Sequence, residues 1–383
     1  MSLFKYMLYG KRGKQPLPES EDADEDYDFD AEATQVEPVT SRINVGEIFK
    51  PGGLTRDIVE REGMPPEEDD SKYWWCFKGH KDFDPENPVL PYDPVTVDMA
   101  IEHLNKKIIS GDLPMFTIPA QIIEVFHLLE RPDFDYMEVS SIIEKNPSLV
   151  GMFIQSINSS LYNRGFSITE LYPALLRLGK NNIRALLQLY SIKISFADDR
   201  RFGNLARKII RHSYLVAVIA SYLSQRYFPE PGQAFLAGLL HDIGKLGILK
   251  ELSLDPKFCL RLKPDATEVM FDSIFVGRHE KIGLKLGEQW KMDELTLSAI
   301  ERHHNFWEYD FSDEDQLDYH LCLLINLSDT MARILGEGRP IGKTNIFLEP
   351  ATIDLNIEKN ISTIEFFAEI PEVVAHKAAN NFL

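Results

Sequence analysis

Apolar side chains recur every three or four residues over most of the chain after Pro94, which is the spacing of amphipathic helices. The first such segment is VTVDMAIEHLNKKIIS at 95–110, and a connector that contains proline follows it. We predict further helices at 117–130, 136–145, 147–159, 168–178, 180–196, 205–225, 233–249 and 317–335. No stretch alternates between apolar and polar residues over several strands. The sequence therefore predicts an all-α fold.

One predicted helix start is marked by a specific local motif. The residues Ser167-Ile168-Thr169-Glu170 fit a capping box, in which the serine hydroxyl and the glutamate carboxylate each accept a hydrogen bond from a free backbone N–H. We therefore expect the helix at 168–178 to begin here.

The chain before the helices has a different composition. Residues 15–40 contain ten acidic residues and no basic ones, so we predict that residues 1–40 are a disordered acidic tail with a basic tip. Residues 41–95 are predicted to be an irregular arm rich in proline and aromatic residues. For its cluster YWWCF at 73–77 we favour an anchor on the domain over a patch that docks a partner. The helical region is divided into residues 96–200, residues 201–340 and a C-terminal helical extension at 341–383.

Charge and cysteine content exclude several classes of protein. The 383 residues carry 41 Lys and Arg against 60 Asp and Glu, a formal net charge of -19, so general nucleic-acid binding is not expected. The three cysteines, Cys76, Cys259 and Cys322, cannot all pair with one another, which favours a reducing compartment. No segment approaches about 18 uncharged apolar residues. We expect a cytoplasmic protein without a membrane span.

Seven titratable residues of the second half lie at inward-facing positions or at helix ends. They are His212, His241, Asp242, His279, His303, His304 and Asp329. Within the apolar stripes, His212 follows Ile209 by three residues and Asp329 follows Ile325 by four. Any one of these histidines could be an ordinary hydrogen-bonded core residue, but the whole set is harder to explain in that way.

Buried carboxylates need a positive partner, because ionised groups in an apolar interior cost several kcal/mol when they are unpaired. We find no arginine or lysine on the same stripes, so we predict a divalent transition metal, and a carboxylate could bridge two ions. Because neighbours on a helix diverge by about 100°, one of His303 and His304 could lie outside the coordination sphere. Lys245 shares the face of His241 and Asp242, where it could bind phosphate or serve as a buried counter-charge.

The motif HDIGK at 241–245 resembles the HD superfamily of metal-dependent phosphohydrolases. The order of the seven residues resembles the two-metal subgroup, which includes the HD-GYP cyclic di-GMP phosphodiesterases. Upstream, the segment NPSLVGMFIQSINSSLYNRGFSITELYPALLRLGKNNIRALL at 146–187 is similar to the first half of the HDOD domain, a bacterial regulatory relative. The HDOD resemblance covers about 111–335. The chain lacks a Gly-Tyr-Pro element after RHHNFWEYDFSD, and it has Lys208 where some three-metal relatives have glutamate.

The resemblance implies an HD-type helical bundle with one or two divalent ions, iron or manganese. One ion would be held by His212, His241, Asp242 and Asp329, and the other by Asp242, His279, His303 and His304. In an active enzyme, Asp242 would bridge the ions, a water between them would be the nucleophile, and Lys245 would contact the substrate phosphate.

Two functions follow as hypotheses. The first is a regulatory signal-transduction module that binds protein partners. The second is a metal-dependent phosphohydrolase or phosphodiesterase that acts on a nucleotide or a cyclic dinucleotide. A purely structural metal, a vestigial cluster that binds nothing, and ligand sensing without turnover remain as alternatives.

Overall fold

Nearly all the regular structure is helical. The computed structural model describes residues 73–77, 94–112, 116, 118–158, 168–261, 267–306, 316–338, 341–342 and 344–378. The predicted tail at 1–40 and most of the predicted arm at 41–95 lie outside these residues. The prediction of an all-α fold is confirmed. Among the described helices, none is both long and apolar enough to cross a membrane.

The described elements follow one another in a simple order. The helices of the first half are α1 (Pro94–Ser110), α2 (Ala120–Glu130), α3 (Tyr136–Ile143), α4 (Pro147–Asn158) and α5 (Leu171–Ser195). Helix α5 is kinked at Gly179, whose backbone is not helical, which agrees with the two helices predicted at 168–178 and 180–196. Those of the second half are α6 (Gly203–Tyr227), α7 (Pro231–Leu240), α8 (Ile243–Leu254), α9 (Pro256–Arg261), α10 (Thr267–Phe275), α11 (His279–Gln289), α12 (Glu294–Arg302) and α13 (Gln316–Ile334). A 3-10 helix (Ile346–Leu348) precedes α14 (Pro350–Asp354), α15 (Ile361–Ala368) and α16 (Ile370–Ala378). The short strands β1 (Cys76–Phe77) and β2 (Thr344–Asn345) pair in antiparallel orientation.

Helix α6 lies at the centre of the second half. It packs against α7 and α13, and every residue from His212 to Ser224 is buried. The predicted inward position of His212 is therefore confirmed. Over this stretch the helix is buried on every face, because neighbouring elements cover it on all sides. The sequence suggested only a single buried stripe.

Two predicted helix boundaries are wrong. The single helix expected at 233–249 is two helices, α7 and α8, separated by a turn at His241 and Asp242. The surrounding sequence is apolar on every face, so its periodicity does not reveal the break. The helix expected to begin at 168 begins at Leu171, where Glu170 is the N-cap residue and makes no side-chain capping hydrogen bond. Ser167, the other half of the predicted capping box, lies outside the described residues.

The aromatic cluster at 73–77 is held against the helical body. Tyr73 and Trp75 are buried, and their rings stack with centroids 4.5 Å apart. The indole N–H of Trp74 donates to the carbonyl of Phe367 at 3.1 Å, and the ring of Phe347 meets that of Trp75 edge-on. The interpretation of this cluster as an anchor is confirmed for these residues.

The C-terminal helices also dock on the centre of the domain. Helix α16 packs against α6. Phe366 of α15 stacks on Tyr222 at 4.5 Å and lies under the guanidinium of Arg226 at 4.1 Å. The hydroxyl of Tyr222 donates to the carboxylate of Glu369 at 2.6 Å. The chain after α13 thus covers one side of the helix that carries His212.

Candidate metal centre

Separate elements supply the seven predicted site residues. They are His212 in the middle of α6, His241 and Asp242 in the turn between α7 and α8, His279 at the start of α11, His303 and His304 directly after α12, and Asp329 in α13. The structure brings them together in two groups, Asp242 with His279, His303 and His304, and His212 with His241 and Asp329. Within each group, one potential ligand atom per residue lies within 4.8 Å of the others.

The break between α7 and α8 places the carboxylate of Asp242 at the centre of the cluster. Its Oδ2 atom lies 3.3 Å from Nε2 of His241 and 3.8 Å from Nε2 of His212. Its Oδ1 atom lies 3.5 Å from Nε2 of His279 and 3.9 Å from Nε2 of His303. Each oxygen therefore faces one pair of imidazoles, which is the arrangement that a bridging carboxylate requires.

Asp329 completes the side of the cluster that contains His212. Its Oδ1 atom lies 2.9 Å from Nε2 of His212. On the opposite side, His303 is the C-cap residue of α12, and the amide of Asn326 donates to its carbonyl at 2.8 Å. His304 lies beyond the helix end and is partly buried, with its ring centroid 5.3 Å from that of His279. The ring centroids of His303 and His304 lie 4.1 Å apart, and both residues belong to the same group.

Four histidines have their rings oriented in the same way by backbone carbonyls. Nδ1 of His212 lies 3.1 Å from the carbonyl of Glu337, and Nδ1 of His241 lies 2.7 Å from that of Gly238. Nδ1 of His279 lies 3.0 Å from the carbonyl of Phe275 at the end of α10, and Nδ1 of His303 lies 3.0 Å from that of Ala299 in α12. A carbonyl can only accept, so Nδ1 of each ring carries a proton. In the neutral form of such a ring, Nε2 has a lone pair that faces the cluster.

The centre of the cluster is rich in imidazole nitrogen and carboxylate oxygen atoms that could bind a cation. The Nε2 atoms of His279 and His303 lie 3.4 Å apart. Burial and the neighbouring His241 and His279 lower the pKa of His303 to about 3, so this ring stays neutral near pH 7. Nε2 of His241 and Oδ1 of Asp242 are buried and have no hydrogen-bond partner among the described residues. Such a set of nitrogen and carboxylate acceptors fits a divalent transition metal.

Two basic side chains also contact the buried carboxylates. The ammonium of Lys245 donates to Oδ2 of Asp242 at 2.6 Å, and the guanidinium of Arg333 lies 3.4 Å from Oδ2 of Asp329. Burial raises the pKa of Asp242, but the charge of Lys245 and the contact with His241 outweigh this effect and hold the pKa well below its ordinary value. For Asp329, His212 and Arg333 likewise outweigh burial, and its pKa is also well below the ordinary value.

The contact with Arg333 corrects the expectation that no arginine or lysine lies on the same stripes. Arg333 follows Asp329 by four residues on α13, a spacing that places the two on one face of the helix. Lys245 and Arg333 each contact one carboxylate, but neither pairs with the four imidazole Nε2 atoms that converge on the cluster. The cluster therefore keeps its capacity for a metal.

Further residues support the cluster from outside, and the sequence analysis did not find them. The carboxylate of buried Glu280 lies 3.0 Å from Nδ1 of His279. Arg211 donates to both carboxylate oxygens of Glu337, which holds the loop whose carbonyl contacts His212. The sequence could have indicated two such residues, because Arg333 follows Asp329 by four residues and Glu280 directly follows the candidate ligand His279. A backbone carbonyl such as that of Glu337 leaves no signal in the sequence.

Comparisons with known proteins agree with this architecture. The HDOD domain family matches residues 115–306, which is half of the chain and includes all of the site residues except Asp329. An uncharacterized protein of Treponema pallidum (strain Nichols) is 24% identical over 205 residues, which are 51% of this chain and 38% of that protein. The chain thus matches well under two thirds of the length of that relative.

Two solved structures align with most of this chain. A proposed metal-dependent phosphohydrolase from Shewanella amazonensis SB2B aligns with a TM-score of 0.50 and 19% identity, covering 71% of this chain and 98% of that one. An HDOD domain protein with unknown function from Geobacter sulfurreducens aligns with a TM-score of 0.49 and 21% identity, covering 75% of this chain and 100% of that one. At 19% identity the likeness to the Shewanella amazonensis protein concerns the fold alone. The family match over half of the chain confirms the resemblance found in the sequence: this chain belongs to the HDOD domain family.

Proposed function

We propose that this chain is a regulatory module of the HDOD type that acts through protein contacts and holds one or two divalent ions, iron or manganese. The observation that carries the metal proposal is the convergence of four Nε2 atoms on the carboxylate of Asp242, with each Nδ1 directed at a backbone carbonyl. A cation between these acceptors would remove their mutual repulsion. It would also tie together helices that are distant in sequence.

Most of the residues in the cluster are almost fully buried. His241, Asp242 and His303 are at most 1% exposed, and His212 and Asp329 at most 5%. Ions bound in this centre would stabilise one arrangement of α6, α8, α11 and α13. A ligand that binds the folded state stabilises it. Metal binding would therefore stabilise one conformation of the surface that contacts a protein partner.

Metal analysis of the purified chain tests the centre. We expect iron or manganese in the wild-type protein. Asp242→Asn should lose most of the metal and unfold at a lower temperature, since it removes a charge that both groups share. Asp98→Asn, at an exposed position of α1, is the matched control and should keep both properties. A wild-type protein that binds neither ion after reconstitution would refute the proposal.

The bridging role of Asp242 has a sharper test. His212→Gln removes a ligand from one group and His279→Gln from the other, so each variant should retain about half of the metal, whereas Asp242→Asn should lose both ions. Equal losses in all three variants would contradict a shared carboxylate between two ions.

The regulatory role is tested by native affinity capture with the full chain and with a chain that lacks residues 1–40. We expect a protein partner to be recovered, and we expect deletion of the acidic tail to change its retention. If no partner is recovered and the deletion has no effect, the proposal of a protein-binding module fails.

A second candidate function is phosphohydrolysis of a nucleotide or a cyclic dinucleotide. The observation that favours it is Lys245, whose ammonium contacts Asp242 while 21% of its side chain remains exposed. From this position it could bind a substrate phosphate, while bound metal would lower the pKa of a water ligand. A screen of phosphomonoesters and phosphodiesters with iron- or manganese-loaded protein tests this. Turnover that Lys245→Met abolishes without loss of metal would support it, and no turnover in the loaded protein would exclude it for the substrates screened.

A further inference from the structure

A cavity of about 250 Å³ lies between α4, α5 and α6. None of the seven residues of the metal centre lines it. Its walls combine the apolar side chains of Met152, Leu189 and Ile210 with the polar ends of Gln155, Tyr190 and Lys193. On α5, Lys193 follows Leu189 by four residues and Tyr190 by three, so all three lie on the helix face that borders the cavity.

Lys193 brings an unbalanced positive charge to this cavity. Its side chain is partly buried, and no described residue forms an ion pair or a hydrogen bond with its ammonium. Burial alone lowers its pKa, so no nearby carboxylate compensates for its desolvation. It lies in the last turn of α5, where the helix dipole favours a cation. The position stabilises the charge but does not neutralise it.

The other polar groups also retain hydrogen-bonding capacity. The hydroxyl of Tyr190 accepts from the amide of Asn146 at 3.4 Å and can still donate its own proton. The side-chain amide of Gln155 has no hydrogen-bond partner among the described residues. Two donors and one cation thus border an otherwise apolar space, which is the usual composition of a small-molecule site.

We propose that this cavity binds a small organic carboxylate, with its charged end on Lys193 and its apolar end against Met152, Leu189 and Ile210. A single cation balances one negative charge. A phosphate dianion would retain an uncompensated charge in a partly desolvated site, where no arginine offers a two-pronged contact. The volume is slightly below the range of drug-sized ligands, which begins at about 300 Å³, so we expect an acid of the size of hexanoate.

Calorimetric titration of the full chain with hexanoate, hexanol and hexyl phosphate tests the chemistry. We expect saturable binding of hexanoate, about tenfold weaker binding of hexanol, and no gain for hexyl phosphate. Lys193→Met keeps the aliphatic stem and should weaken hexanoate about tenfold while leaving hexanol unchanged. Lys257→Met, at an exposed position of α9, is the matched control and should bind like the wild type.

A cavity-filling variant tests the location. Gly151 lines the cavity, and a Cβ atom added there meets no atom within 4 Å. Gly151→Leu should therefore occupy the space, abolish binding of both hexanoate and hexanol, and leave the thermal unfolding temperature equal or higher. Asp242→Asn should bind hexanoate normally, which separates this cavity from carboxylate binding at the metal centre.

Several outcomes would overturn the proposal. They are the absence of saturable hexanoate binding up to about 10 mM, equal affinities in the wild type and Lys193→Met, and undiminished binding in Gly151→Leu. Binding of hexyl phosphate at least about tenfold tighter than hexanoate would show that the site selects a phosphate instead.

Discussion

Gly244 sits where α8 and α11 come closest, and its replacement by alanine should separate the two helices. A Cβ atom added at this position would lie 1.8 Å from the carbonyl oxygen of His279 and 2.7 Å from the backbone nitrogen of Gly283. Both obstacles are backbone atoms, so no side-chain rotation relieves the contact. The helices must move apart by about 1.2 Å to reach 3.0 Å, the shortest approach that such carbons tolerate.

The separation has a cost in stability and a consequence for the metal centre. Overpacking in a closely packed core costs about 3 kcal/mol at the upper end of the usual range, against a gain of up to about 1 kcal/mol from alanine in a helix. Asp242 precedes α8 and His279 begins α11, so the 3.5 Å distance between Nε2 of His279 and Oδ1 of Asp242 must lengthen as well. We expect a net loss of about 2 kcal/mol together with reduced metal content.

Gly151→Ala is the matched control, because it makes the same change in a helix at a position where the added Cβ meets open space. The effect on the unfolded chain is the same in both variants, so their difference isolates the helix contact. Urea unfolding followed by circular dichroism should show Gly151→Ala at or above wild-type stability and Gly244→Ala clearly below it. If Gly244→Ala matches the control in both stability and metal content, the close approach of α8 and α11 does not hold the centre together.

Three further substitutions probe other contacts. Gly338 has a φ of 104°, and a Cβ atom there would lie 2.7 Å from Nδ1 of His212. Gly338→Ala should therefore displace this ring and lower the metal content of the protein. An unchanged metal content would show that the loop does not orient His212. Trp75→Ala removes a fully buried side chain and should lower the free energy of unfolding by about 3 kcal/mol in urea titrations. A decrease in this free energy of less than about 1 kcal/mol would mean that the aromatic cluster does not anchor the arm. Tyr222→Phe removes the 2.6 Å hydrogen bond to Glu369 and should cost about 1 kcal/mol by the same assay, since the exposed carboxylate of Glu369 regains water. No change in stability would indicate that this hydrogen bond does not hold the C-terminal helices in place.

Helical periodicity was sufficient to predict much of the site. The inward positions of His212 and Asp329 follow from a spacing of three and four residues, and both side chains are buried. Periodicity failed at His241 and Asp242 because the sequence around them is apolar on every face of the helix. The turn there depends on packing around α8, including the contact of Gly244 with α11, and this packing involves residues far away in sequence.

The electrostatic balance of the site was predicted only in part. The need for positive charge near Asp242 and Asp329 follows from the cost of burying carboxylates. The ion pair with Arg333 was missed although its spacing on α13 was visible. The uniform orientation of the imidazoles could not be predicted, because it depends on backbone carbonyls, which every residue has and which no sequence pattern distinguishes.

By itself, the sequence determined that the chain folds into helices and that acids and imidazoles occupy apolar positions on several of them, since both properties depend on neighbours within a few residues. The tertiary structure decided that the two oxygens of Asp242 face different pairs of histidines and that Lys193 borders a separate cavity. These arrangements depend on how closely helices approach one another. That approach is set by contacts between residues such as Gly244 and His279, which are far apart along the chain.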